Sequence, residues 1–258
     1  MNVARDWVLQ RLAEARIALM TLTRLPGGRV RPPVPATAST VWAFPLVGLI
    51  IGGLSATAYA VAHAAHLPPP LAAVVAIATG IALTGALHED GLADTADGLG
   101  GGQDRIGKLA IMRDSHVGSY GILTLILSLA ARAVCIAALD APHVVAGAMI
   151  ALASASRTAM VIGLFAMPSA RTDGLGKSAS GVAMPRCVIA GILGLVALAA
   201  FTSAWPIIAI SMIVVGLILA SLAWRQIGGQ TGDVLGAIQQ STEIIGWVVI
   251  VSWSSVSG

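Results

Sequence analysis

Apolar runs alternate with short polar connections along almost the whole chain. Each run is close to the length of about 20 residues that a helix needs to cross a bilayer. The pattern predicts spans near 41–63, 70–87, 118–139, 143–167, 186–204, 206–224 and 234–254. All must be helices, because an open sheet edge leaves backbone groups unsatisfied in lipid. The last run is the least apolar, since it holds Gln239, Gln240 and Glu243. Within residues 2–24, Val8, Leu12, Ala15, Leu19 and Leu22 recur at helical spacing, and Arg5, Arg11 and Arg16 interrupt them. This predicts an amphipathic helix lying at the membrane–water interface. A stretch rich in proline and glycine follows, from Pro26 to Pro35. The predicted fold is all-α: a polytopic transmembrane helical bundle of about seven spans, forming one domain over residues 1–258.

Composition supports this reading. The chain is 57% hydrophobic and only 10% charged, whereas soluble domains carry about 25% charged residues. The net charge of +3 reads as membrane orientation and not as nucleic-acid binding. Thirteen of the fifteen Lys and Arg residues fall in the N-terminal region, the 88–117 stretch, the 168–186 loop and at Arg225. The turns near 64–69, 140–142 and 205 hold none. The positive-inside rule then makes the N-terminus and the basic loops cytoplasmic, with the C-terminus outside. The first 25 residues contain no uninterrupted apolar core, so no signal peptide is expected. Cys135 and Cys187 have no ligand-type spacing. Arg132 and Arg157 lie inside spans, where a guanidinium is costly and pairs with an acid or a bound anion.

Candidate chemistry concentrates in one stretch. Six of the twelve carboxylates fall between Glu89 and Asp114. Asp90, Asp94 and Asp97 stand at i, i+4 and i+7, which places them on one helix face. Three like charges together call for a cation, and hard oxygen donors without His or Cys suit Mg²⁺ or Mn²⁺. Mg²⁺ commonly completes its shell with phosphate oxygens and waters. The run Gly98-Leu99-Gly100-Gly101-Gly102 is expected to end the helix and let backbone amides approach a ligand, Gly98 and Gly101 among them. Arg105, Lys108 and Arg113 follow, and cations beside a carboxylate-bound metal suit a diphosphate. His88 and His116 flank the stretch, and either can serve as a base or stand as a structural residue.

Two further loops are predicted to share this side. Gly174-Leu175-Gly176-Lys177-Ser178 ends like a phosphate-binding loop, but Arg171 stands where the first glycine belongs and no strand precedes it. An NTPase is therefore excluded. Gly228-Gly229-Gln230-Thr231-Gly232-Asp233 opens the last span, where Asp233 reads as a helix cap or as a metal or hydroxyl ligand. Gly176, Lys177, Gly229 and Thr231 are candidate ligand contacts.

These residues carry a resemblance. HEDGLADTADGLGGG from His88, followed by IMRDSHVGSYG up to Gly121, is similar to the signature block of the cobalamin synthase (adenosylcobinamide-GDP ribazoletransferase) family. LTRLP at 22–26, FPLVGLIIG at 44–52, SASR at 154–157, GLGKS at 174–178 and GGQTGDVLGA at 228–237 extend it along the chain. The block in that family more usually reads HLDG, and Glu89 replaces the apolar residue here. The resemblance implies a Mg²⁺-dependent enzyme of the bacterial cytoplasmic (inner) membrane, with its active site on the cytoplasmic side. It implies transfer between adenosylcobinamide-GDP and α-ribazole or its 5′-phosphate, releasing GMP. Asp90, Asp94 and Asp97 would then hold Mg²⁺ against the diphosphate, and Arg113 or Arg157 would stabilise the leaving GMP. The base is Asp114, Asp233 or His116. Membrane lipid is an expected partner, and self-association is left open.

Other classes fit less well. CDP-alcohol phosphotransferases use a DGxxAR motif, and Asp90-Gly91-Leu92-Ala93-Asp94 is not followed by the arginine it needs. Prenyltransferases carry two aspartate-rich clusters, against one strong cluster here. A cation transporter places acids within its spans and commonly contains internal repeats, and no repeat is visible.

Overall fold

The computed structural model describes residues 3–139 and 141–257. Residue 2 of the expected N-terminal helix and residue 140 of an expected turn lie outside them. Helix α1 (Val3–Leu22) is followed by α2 (Thr37–Thr40) and a 3-10 turn (Val41–Ala43) that leads into α3 (Phe44–Ala64). Then come α4 (Pro69–Thr84), α5 (Leu87–Gly101), α6 (Arg105–Ile111), α7 (Ser119–Leu139) and α8 (Pro142–Ala166). The chain ends with α9 (Gly174–Ser178), α10 (Met184–Phe201), α11 (Trp205–Ile227) and α12 (Gly232–Ser257). Among the described residues, six helical stretches are long and apolar enough to cross a bilayer: Thr37–Ala64, α7, α8, α10, α11 and α12 up to Ser255. The 16-residue α4 is the seventh apolar helix.

Helices α8 and α12 form the centre. The most apolar 18-residue window is 78% buried in α8 and 67% in α12, but only 17% in α11. The main core joins Tyr59, Ile136, Leu152, Ile208 and Trp247, all nearly inaccessible. Small residues set the tightest crossing. A Cβ on Gly52 would stand 2.5 Å from the Met149 carbonyl oxygen, and one on Gly48 would strike the Ala153 backbone. This four-residue glycine spacing lets α3 and α8 approach closely where no hydrophobic force drives helices together. The polar side chains of the last span, Gln239, Gln240 and Glu243, all turn inward.

Only the second half of α1 docks on the bundle. Ala18 and Leu22 are buried, and the Trp42 indole N–H donates to Glu14 at 2.7 Å. Trp7, Val8, Leu9 and Leu12 stay exposed, so the apolar face predicted from spacing is divided between the bundle and the surroundings.

The expected 70–87 span is broken. Gly85 (φ 65°) and Ala86 (φ 61°) are both left-handed, and α5 leaves α4 at 88°. Glycine suits the left-handed turn at 85, and a Cβ there would displace the Arg24 side chain. Arg24 N–H also donates to the Leu83 carbonyl at 2.8 Å, satisfying one of the acceptors left over at the end of α4. The acidic stretch is thus the helix its spacing predicted, packed against the bundle.

Candidate active site

Helix α5 lies on α12 through two glycines. A Cβ on Gly91 would be 2.9 Å from the Asp233 carbonyl oxygen, and one on Gly236 would be 3.2 Å from that of His88. This crossing brings the acids of α5 beside the start of α12. The loop after α8 is stitched to the same place. Ala170 N–H donates to Gln230 O, and Gln230 N–H to Pro168 O, both at 2.8 Å. The buried Gln230 amide donates to Gly176 O at 2.9 Å. Gly229 (φ 154°) leaves no room for a Cβ against Pro168, and one on Gly176 would meet the Gln230 side chain and the Gly232 amide. Gly176 and Gly229 therefore hold these loops together.

Where the elements meet there is an open cleft of about 270 Å³. Its polar lining is His88, Asp90, Arg171, Asp173, Thr231 and Asp233, with the backbone of Gly174–Gly176. Arg171 pairs with Asp233 at 3.0 Å, and both side chains are largely buried. Thr231 caps α12, its hydroxyl accepting from Val234 N–H at 3.2 Å. Asp233 is thereby freed from the capping role that sequence offered it. It accepts from the Thr231 hydroxyl at 3.1 Å and turns its carboxylate to Arg171.

Asp94 stands one turn beyond Asp90. Burial, then the charges of Asp90 and Asp233, push it up to about 7 from its ordinary 3.8, with Arg171 offsetting part of the effect. The cluster therefore holds more negative charge than its cations balance, and its donors are hard carboxylate oxygens of the kind Mg²⁺ takes. Among the described residues, no three His, Cys, Asp or Glu side chains converge as a finished metal site. Asp97 is engaged elsewhere. Its two oxygens accept from Gly118 N–H at 2.7 Å and Gly121 N–H at 2.9 Å, at the start of α7. The Asp97 carboxylate thus anchors the start of α7, and a Cβ on Gly118 or Gly121 would collide with it.

The remaining candidates lie outside the cleft lining. Asp114 and His116 form an exposed pair at 2.7 Å in the connection before α7, and hydrogen bonds from His116 hold the Asp114 carboxyl below the usual range. Arg113 reaches the cleft rim through its 2.5 Å ion pair with Asp173. Arg105 donates to Ala170 O at 3.1 Å and packs against Gly228, bracing the loop from outside. Lys108 donates to Leu99 O at 2.8 Å, at the end of α5. Lys177 is exposed on α9. Gly98 and Gly101 are helical, and bareness at 98 admits Met112 and the Lys108 backbone where a ligand amide was expected.

Arg157 is buried in α8, around a second, smaller cavity of about 40 Å³ inside the bundle. It donates to Ala153 O at 2.8 Å. That cavity is also lined by Glu89, Arg132, Gln239, Gln240 and Glu243. Glu89 therefore faces the bundle interior and pairs with Arg132 at 3.4 Å, away from the cleft acids. Among the described residues, His88 alone lines both cavities. Arg171 and Asp173 are charged cleft residues to which sequence reasoning gave no role. For Arg171, the one signal was a basic residue directly ahead of Thr172-Asp173-Gly174, in a loop predicted to share a side with Asp233.

Residues 14–251 match the family model described as cobalamin-5-phosphate synthase. An adenosylcobinamide-GDP ribazoletransferase of Bradyrhizobium diazoefficiens is 45% identical over 237 residues, covering 91% of each chain. One of Mesorhizobium japonicum is 38% identical over 238 residues, again 91% of each. One of Chlorobaculum parvum is 39% identical over 245 residues, 92% of this chain and 94% of its own. No solved structure matches the chain.

Proposed function

The chain belongs to the cobalamin-5-phosphate synthase family, and we propose that its cleft joins adenosylcobinamide-GDP to α-ribazole or α-ribazole 5′-phosphate, releasing GMP. The protein acts as a multi-pass enzyme of the bacterial cytoplasmic membrane, with the cleft facing the cytoplasm. The observation that carries the reading is the meeting of Asp90 and Asp233 with Arg171 at one open cleft, with Asp94 close enough behind them to feel the charge of all three. Displacement at a diphosphate demands charge neutralisation and a placed nucleophile more than it demands covalent help from the protein.

Asp90 and Asp94 would hold Mg²⁺. The cation supplies neutralisation of the diphosphate charge when bound. Arg171 donates from its guanidinium to phosphoryl oxygens and carries charge that develops on the departing GMP. Asp233, at the cleft and without a capping duty, accepts the proton of the attacking ribazole hydroxyl on a carboxylate oxygen. The new O–P bond forms on the phosphorus that stays with cobinamide, and the P–O bond to GMP breaks. Asp97 secures α7 behind α5, and Asp173 with Arg113 frames the rim.

The test is turnover by the purified protein in nanodiscs, with adenosylcobinamide-GDP, α-ribazole and graded Mg²⁺, following GMP release. Product and GMP should appear in equal amounts, and chelation should abolish both. Because Asp94 has a raised pKa of about 7, a proton competes with the cation below that pH. The apparent Mg²⁺ affinity should fall about tenfold per pH unit below 7 and level off above it. Turnover that persists after chelation, or an Mg²⁺ requirement indifferent to pH between 5.5 and 8, would count against this site.

A further inference from the structure

We propose that Arg132 and Gln240 are positioning groups for the cleft: a buried polar network at the bundle centre sets where Asp90 and Asp94 stand relative to Asp233. The proposal rests on the metal reading given above. Arg132 of α7 reaches three partners, Glu89 of α5 at 3.4 Å, Gln240 at 3.1 Å and Glu243 at 3.1 Å, the last two on α12. The Gln240 amide also donates to Glu89 at 2.9 Å. Glu243 accepts in addition from Gln239 at 2.6 Å and from Ser156 of α8 at 3.3 Å. Four helices are tied at one point.

Three features argue that this network sets position. First, buried ion pairs add little stability over apolar residues of the same volume, and their best-attested use is to specify one arrangement. Second, the α5–α12 crossing is made by Gly91 and Gly236. Bare glycines allow a close approach but give no interlocking side chains to stop α5 from sliding or turning. Third, Asp233, Gly236, Gln240 and Glu243 follow one stripe of α12, at i, i+3, i+7 and i+10. The cleft acid, the crossing point and the network thus share one rigid face. On α5, Glu89 directly precedes Asp90. A bond from Gln240 to Glu89 therefore fixes the placement of the α5 acids against Asp233.

Gln240→Leu removes the bridge without changing charge, and Arg132→Lys keeps the charge but loses the planar fork that reaches three acceptors. Mn²⁺ binding is read by electron paramagnetic resonance, beside thermal unfolding and turnover, with Asp94→Asn as the reference for the metal site. Outer groups that orient ligands typically change metal affinity about 10- to 100-fold. Both variants should weaken Mn²⁺ binding per folded molecule by at least about tenfold, beside a lower unfolding temperature from the buried groups left unpaired, with kcat largely recovered at saturating metal. Unchanged Mn²⁺ affinity per folded molecule, with only a lower unfolding temperature, would overturn the positioning role and leave the metal reading intact. If wild-type binding of Mn²⁺ does not depend on Asp94, both fall together.

Discussion

Asp94→Asn lowers kcat/KM at saturating Mg²⁺ by at least about a thousandfold, or about 4 kcal/mol of transition-state stabilisation, while the protein remains folded. The asparagine keeps the shape of the side chain but removes the anion that would bind the cation. Its stability cost is small because the native carboxylate is already disfavoured by burial and by Asp90 and Asp233. Removing a repelled charge leaves the folded state no worse. Asp97→Asn behaves differently in unfolding measurements. Its carboxylate satisfies the Gly118 and Gly121 amides, and an asparagine accepts through one oxygen only. One buried N–H is left without a partner, which costs about 1–3 kcal/mol. A lower unfolding temperature for Asp97→Asn with an unchanged one for Asp94→Asn separates the two roles. The reverse pattern would assign them wrongly here.

Arg171→Gln lowers kcat about 10²- to 10³-fold, the usual loss for one preorganised donor to transition-state charge. Two effects combine. The departing phosphate loses its cation, and Asp233, whose side chain is largely buried, loses its partner. Arg171→Lys should recover part of kcat, because a point charge reaches one phosphate oxygen where the guanidinium reaches two. Arg105→Gln provides the contrast, since Arg105 braces the loop from outside the cleft and its loss should alter stability more than kcat. Steady-state kinetics on the three variants, normalised to folded protein, decide the matter. Equal kcat for Arg171→Gln and the native protein would remove Arg171 from the mechanism.

Much of the fold could be read from hydropathy, because bilayer thickness imposes a length on each apolar run. Two of the basic segments, the 88–117 stretch and the 168–186 loop, meet in the structure through Arg105 and Ala170 and through Arg171 and Leu109. The right-angle break at Gly85 and Ala86 was invisible. A glycine inside an apolar run reads as an ordinary span until the Arg24 side chain is seen filling the space beside it. The acids were partly legible. Helical spacing puts Asp90, Asp94 and Asp97 on one face but does not say what each tip meets. The partners of Asp97 are amides more than twenty residues away. Arg132 was foreseeable as a paired intramembrane charge, but its pairing with Glu89 and Glu243 depends on how three helices pack. Arg157, a candidate for the leaving phosphate, lies around the inner cavity for the same reason. Arg171 was hidden because a lone basic residue in a cytoplasmic loop is what membrane orientation alone requires.

The most direct measurement is a structure of the protein with Mn²⁺ and a non-reactive adenosylcobinamide-GDP analogue, locating the metal by its anomalous scattering. The account predicts metal density at Asp90 and Asp94 in the cleft, with the diphosphate beside Arg171 and the inner cavity around Arg132 and Arg157 free of metal. Mn²⁺ bound elsewhere, with Asp90 and Asp94 unliganded while the analogue is in place, would contradict it.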